Sequence, residues 1–229
     1  MEHFLEPSGA VKHSFIEDCH RLGQLIYWHK QGNYSIQVRQ LNQLRWLLIN
    51  ETLQSVIEKR RPARLLFPHL QYLAKLWQDL EEPKKILELG LGGGAIRNYL
   101  QHTYPDSQLT SVDKNPDIIH CYKRYFGGDH ASNLHCFDAQ QVLEQNNEYN
   151  WIILDLFSEV DAPLFLYKHL FYTKLRAAMA KDGLLFINFL SNHPSQLKQL
   201  EHLLITEFGK RPSIVKIPDY VNHIVMIKK

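Results

Sequence analysis

Lys85-Ile86-Leu87-Glu88-Leu89-Gly90-Leu91-Gly92-Gly93-Gly94-Ala95 is a short apolar run that breaks into glycines and reopens as a helical pattern through His102. A strand that turns through glycines into a helix places those glycines at the carboxyl edge of a sheet, where open α/β sheets bind ligands. Glycine is wanted there because a Cβ would block close approach of the backbone to a ligand. A dinucleotide fingerprint would need its third glycine at position 95, which is alanine, so the loop fits a single nucleoside better than NAD.

Working outward, short apolar runs alternate with helical ones, which predicts a parallel sheet covered by helices. Strands are expected near residues 85–89, 108–112, 133–137, 151–154 and 183–190, and helices at 95–102, 116–126, 140–144, 171–180 and 195–208. Two closing β-rich runs, 213–217 and 222–226, are joined only by Pro218-Asp219-Tyr220. A link that short forces them antiparallel, since a parallel crossover needs a dozen or more residues. The fold class expected is therefore α/β, a doubly wound and mostly parallel seven-stranded sheet of the class I methyltransferase-like Rossmann variant. Upstream, Leu25–Trp28, Tyr34–Val38 and Leu44–Ile49 read as a small β-meander, and Leu70, Leu73, Ala74, Trp77 and Leu80 recur at helical spacing. The expected divisions are an N-terminal extension at 1–23, the meander and linking helix at 24–82, and the nucleoside-binding domain at 83–229.

Three carboxylates accompany the glycines. Glu88 stands two residues before Gly90, Asp113 ends the second strand, and Asp138 follows the third. Asp113 is placed to accept the ribose hydroxyls and Asp138 to meet the adenine amino group. The cofactor set expected from the residues is Glu88, Gly90, Gly92, Gly94, Asp113 and Asp138, for a ligand of the S-adenosylmethionine type.

Composition narrows the classes. With 45% hydrophobic and 22% charged residues, the 229-residue chain is long enough to bury a core. A formal charge of +2 with only short basic clusters (Lys59-Arg60-Arg61, Lys84-Lys85) argues against nucleic acid as partner, and those clusters read as solvated. Cys19, Cys121 and Cys136 show no C-x-x-C pair, and the thirteen histidines are scattered without ligand spacing, so no metal is expected. Neither a signal-type leader nor a membrane-length apolar run is evident, which makes the cytoplasm the expected location.

Trp151-Ile152-Ile153-Leu154-Asp155-Leu156-Phe157-Ser158-Glu159-Val160-Asp161 carries the fourth strand into an acidic loop. Together with Gly90–Gly94, Leu170-Phe171-Tyr172 and Asp182–Asn188, it resembles the spermidine synthase family, particularly its divergent bacterial members. The similarity runs from about Gln24 to Leu190, and the meander with Gln54-Ser55 is similar to the small domain that precedes the cofactor fold in aminopropyltransferases.

The resemblance implies transfer of an aminopropyl group from decarboxylated S-adenosylmethionine to a polyamine amine, a place in polyamine biosynthesis, and a homodimer. It implies that Asp155 orients and helps deprotonate the amine, with Glu159 and Asp161 holding the cationic substrate. An alkylamine with a pKa near 10.4 costs about 4.6 kcal/mol to deprotonate at pH 7. Positioning against the sulfonium carbon supplies roughly 7–11 kcal/mol. Two positions depart from the family: the first-loop Asp corresponds to Gly93, and the second Asp of the fourth-strand loop to Ser158. Loss of an acid at 93 removes what would repel the carboxylate of intact S-adenosylmethionine. Two alternatives therefore stand beside the aminopropyltransferase: a methyltransferase of unknown substrate, and a nucleoside-binding homologue without turnover.

Overall fold

The computed structural model describes residues 4–129, 131–143, 148–156 and 163–229. They form two compact units, one taking in the described residues of 1–80, 91–105 and 115–134, the other those of 81–90, 106–114 and 135–229.

The first unit opens with helix α1 (His13–Asp18) and a four-stranded antiparallel sheet, β1 (Gln24–Gln31), β2 (Tyr34–Leu41), β3 (Leu44–Ile49) and β4 (Thr52–Glu58), paired in sequence order. The meander thus has one strand more than its apolar runs predict. The turn into β4 is Asn50-Glu51, both at positive φ (44° and 67°), a two-residue hairpin geometry that twists with the strands it joins. Trp46 on β3 is fully buried, meets Phe15 of α1 edge-on at 5.1 Å and donates its indole N–H to the Cys19 carbonyl at 3.0 Å. Glu58 at the end of β4 is buried between Arg61 and Arg64, 2.9 and 3.0 Å away. One arginine of the supposedly solvated basic cluster is therefore half of an ion pair, and those guanidinium groups hold the Glu58 carboxyl below its usual range against burial. Helices α2 (Pro68–Gln78), α3 (Ala95–Thr103) and α4 (Pro116–Tyr125) complete the unit, with Leu70, Leu73 and Trp77 forming the buried stripe of α2.

The second unit carries the seven-stranded sheet. Its strands are β5 (Lys85–Leu89), β6 (Gln108–Asp113), β7 (Leu134–Cys136), β8 (Tyr149–Leu154), β9 (Met179–Leu190), β10 (Ser213–Lys216) and β11 (Asn222–Lys228). Their order is β10-β11-β9-β8-β5-β6-β7. β5 pairs in parallel with β6 and β8, and β8 with β9, whereas β11 runs antiparallel to both β9 and β10. The mostly parallel α/β sheet with an antiparallel closing pair is as the link lengths dictate. Strand order reverses between β5 and β8, so the switch point at which such sheets bind ligands lies at their carboxyl ends.

Four of the five residues of β5 are buried, as a strand covered on both faces requires. Leu87, Leu89, Ile152, Leu154, Leu185, Ile187 and Phe189 form one apolar cluster with Tyr172 and Leu175 of α6 (His169–Ala178) and Leu200 and Leu204 of α7 (Pro194–Phe208). Each such side chain stabilises by about 1.5–3 kcal/mol on burial. Strand β9 starts earlier than its apolar run: Met179 already pairs with Tyr149, and a register shift before the Trp151–Leu184 pair absorbs Lys181-Asp182-Gly183. Among the described residues, no helix is long and apolar enough to cross a membrane.

Candidate active site

The site is built at the carboxyl ends of β5, β6 and β8. Glu88 is fully buried on β5, and Ser111 of β6 donates its hydroxyl to Glu88 Oε2. Gly90 follows with φ 96°, its N–H on the Val112 carbonyl at 2.9 Å. The Asp155 N–H in turn reaches the Leu89 carbonyl at 2.9 Å, continuing the β5–β8 ladder one residue past the strands. A Cβ at position 90 would overlap the Asp155 carbonyl oxygen, so close approach of the two strand ends requires glycine there.

Asp155 sits just beyond β8, where burial pushes its carboxyl from 3.8 up to about 6 against the opposing effect of a hydrogen bond from Asn188. That bond, Asn188 Nδ2 to Asp155 Oδ1, is 2.7 Å long, and Asn188 Oδ1 accepts from Asn222 Nδ2 at 2.9 Å. Both asparagines are buried, Asn188 among the apolar residues Leu184–Leu190. Sequence reasoning gave neither a role. The available signal was a polar side chain within Leu184–Leu190, where every neighbour is apolar.

Asp113 closes β6, half-buried. Asp138 follows β7 and is the N-cap of the short helix α5 (Ala139–Val142), its Oδ1 accepting the Gln140 N–H at 2.8 Å. One of its oxygens therefore already has a local structural task. Glu159 and Asp161, expected to hold the substrate, lie outside the described residues, as does Ser158. Tyr172 is buried with its hydroxyl on the Leu166 carbonyl at 2.7 Å. Among the described residues there is no group of three or more side chains that could hold a metal ion.

The glycine loop passes into the first unit after Gly90. There Gly92 and Gly94 have positive φ (52° and 71°), and Gly94 is the N-cap of α3. Gly93 is packed against Ser55 of β4: a Cβ at 93 would lie 2.7 Å from both the Cβ and the Oγ of Ser55. The missing acid at this position thus has a packing counterpart in the same unit.

In the second unit the arrangement offers a half-buried carboxyl, raised to about 6 by desolvation, beside a ligand-type strand end. Such a group can take a proton from an amine without being ionised at all times.

The spermine/spermidine synthase domain family matches residues 70–229. The polyamine aminopropyltransferase of Vibrio vulnificus is 27% identical over 134 residues, 56% of this chain and 45% of that protein. The polyamine aminopropyltransferase of Chromobacterium violaceum is 25% identical over 175 residues, 74% of this chain and 65% of that protein. The chain thus spans about half to two thirds of the length of these relatives. A probable spermidine synthase from Corynebacterium glutamicum superposes with a TM-score of 0.76 at 19% identity, covering 90% of this chain and 80% of that one, a likeness of fold. Because the family match takes in well over half of the residues, the chain belongs to the spermine/spermidine synthase domain family.

Proposed function

We propose that this protein is an aminopropyltransferase that uses decarboxylated S-adenosylmethionine and a polyamine-type amine, with Asp155 as the residue that orients the amine and receives its proton. The observation that carries the reading is the half-buried Asp155 carboxyl, raised to about 6 and bonded to Asn188 at the β5–β8 switch point of a chain from this family. A base that titrates near the working pH combines the right protonation state with a useful driving force. In the transfer, the amine nitrogen forms a bond to the carbon next to the sulfonium. The carbon–sulfur bond breaks with its electrons going to sulfur, leaving a neutral thioether, and the amine proton passes to Asp155.

Glu88, Gly90, Gly92, Gly94, Asp113 and Asp138 hold the nucleoside in this reading. Carboxylates at the ends of neighbouring strands suit a ligand that presents ribose hydroxyls and an exocyclic amine. Glu159 and Asp161 supply negative charge for the cationic acceptor. The working form is a cytoplasmic homodimer acting in polyamine biosynthesis.

One observation favours a second reading. Ser55 against Gly93 leaves no acid to select the decarboxylated cofactor, so a methyltransferase using intact S-adenosylmethionine fits that position better. Parallel calorimetric titrations with the two forms of the cofactor, then with putrescine added to the tighter complex, separate the readings. Tighter binding of the decarboxylated form with coupled diamine binding supports aminopropyl transfer. Tighter binding of the intact form without diamine binding overturns it in favour of methyl transfer.

A further inference from the structure

We propose that Asn222, acting through Asn188, is a positioning residue for Asp155: it holds the Asn188 amide so that its NH2 faces Asp155 Oδ1 and leaves Oδ2 to the substrate amine. This rests on Asp155 being the residue that handles that amine.

The three side chains form a line across three adjacent strands. Leu154 pairs with Ile187, so Asp155 and Asn188 are the next step along β8 and β9. Across β9, Asn188 pairs with Ile224, and Asn222 lies two residues earlier on β11, opposite Leu190. The bonds of 2.7 and 2.9 Å are both of good length, and the asparagines are 4% and 7% exposed. An ionised carboxylate only accepts, so Asn188 must turn its NH2 toward Asp155 and its carbonyl toward Asn222. Asn222 then has to donate. Its own backbone is pinned, the Ile217 N–H donating to its carbonyl at 2.9 Å. The polarity of the line is therefore set by the carboxylate at the strand end, and the Asn222 N–H on Asn188 Oδ1 holds the Asn188 amide in that orientation.

A purely structural role explains the line poorly. β9 and β11 are already joined by pairing along all of Asn222–Lys228, and an apolar pair in the same place would avoid desolvating two amides. Among the described residues, the side chain that acts on the Asp155 carboxyl is Asn188, and no charged one does. Glu159 and Asp161 follow in sequence and lie outside the described residues. With Asn222 gone, the Asn188 amide is free to turn its carbonyl to Asp155, which favours the protonated acid and the wrong orientation of its oxygens.

The test is a double-mutant cycle of Asn188→Leu and Asn222→Leu, read in two ways. The first is the titration of Asp155 by carboxyl-carbon NMR on aspartate-labelled protein, assigned by the signal lost in Asp155→Asn. The second is kcat with decarboxylated S-adenosylmethionine and putrescine. Each single variant is expected to raise the Asp155 midpoint by about one pH unit and lower kcat by about tenfold with KM for the nucleoside unchanged. The double variant should be no worse than Asn188→Leu, because Asn222 has no other route to Asp155. Should leucine at 222 prevent folding in a thermal melt, Asn222→Ser removes the same bond without adding bulk. Unchanged titration in the 222 variant, or effects that simply add, overturns the proposal. Full turnover by Asp155→Asn would instead sink the aminopropyltransferase assignment of Asp155, while the NMR titration would still decide the line of asparagines.

Discussion

A Cβ on Gly90 would lie 2.8 Å from the carbonyl carbon of Asp155, so the end of one central strand fixes which residue the other can tolerate. Gly90→Ala has to part the β5 and β8 ends and also adopt a φ of 96°. We expect a loss of about 2 kcal/mol or more in unfolding free energy and loss of nucleoside binding. Gly209→Ala is the control: its φ is 70°, yet an added Cβ there meets open space among the described residues. It should cost only about 1 kcal/mol and leave binding intact. Equal effects of the two, by urea unfolding and calorimetry, would remove the special status of position 90.

Asp155→Asn should abolish turnover and yet stabilise the protein at neutral pH. The folded carboxyl titrates near 6, above its ordinary 3.8, so its contribution to stability is present below about pH 4 and lost as pH rises through 6. Removing the charge recovers up to about 3 kcal/mol above pH 7 and almost nothing at pH 4. Thermal melts of both proteins across that range should diverge with rising pH. The activity of the unaltered protein should rise over the same interval, as the carboxylate that accepts the proton forms.

Gly93→Asp alone should not create a selector for the decarboxylated cofactor. The new side chain meets Ser55 at 2.7 Å, so the single variant is expected to lose stability and nucleoside affinity together. Ser55→Gly combined with Gly93→Asp clears the two 2.7 Å contacts, leaving Phe126 Cδ1 at 3.3 Å, and should restore most of the stability, with affinity for the decarboxylated form raised over the intact one. If the single variant binds as well as the parent, the packing account of position 93 is wrong.

Asp138 has two tasks that one substitution can part. Asp138→Ser keeps an oxygen to cap α5, whereas Asp138→Ala loses the cap and about 1 kcal/mol with it. Should the serine variant melt like the parent but bind S-adenosylmethionine several-fold more weakly, the carboxylate meets the ligand. Unaltered affinity in that variant would reduce Asp138 to a cap.

Much of this molecule can be read along the chain because its signals are local. The glycine turn after Leu89, the alternation of apolar and helical runs, and the short link between residues 217 and 222 each constrain nearby backbone, and the sheet followed them. What escaped was of two kinds. Strand β4 enters through Glu51 at positive φ, a residue that carries no turn signature, and β9 begins at Met179, inside the run expected as helix 171–180, because Tyr149 pairs with it there. The Asp155–Asn188–Asn222 line joins residues more than thirty positions apart at each step, so its meaning exists only once the strands are adjacent. The roles of Glu159 and Asp161 rest on the resemblance alone.

The order of the closing strands also bears on how the chain is made. β11 comes after β10 in sequence but lies inside it, directly against β9. During synthesis the flank of β9 therefore remains an unpaired, apolar edge until residues 222–228 have emerged, an exposure that invites pairing with other nascent chains. β10 cannot shield that edge by itself, because it reaches the sheet only through β11. Completion of the Asp155 surroundings, through Asn222 on the same strand, is tied to that late docking step.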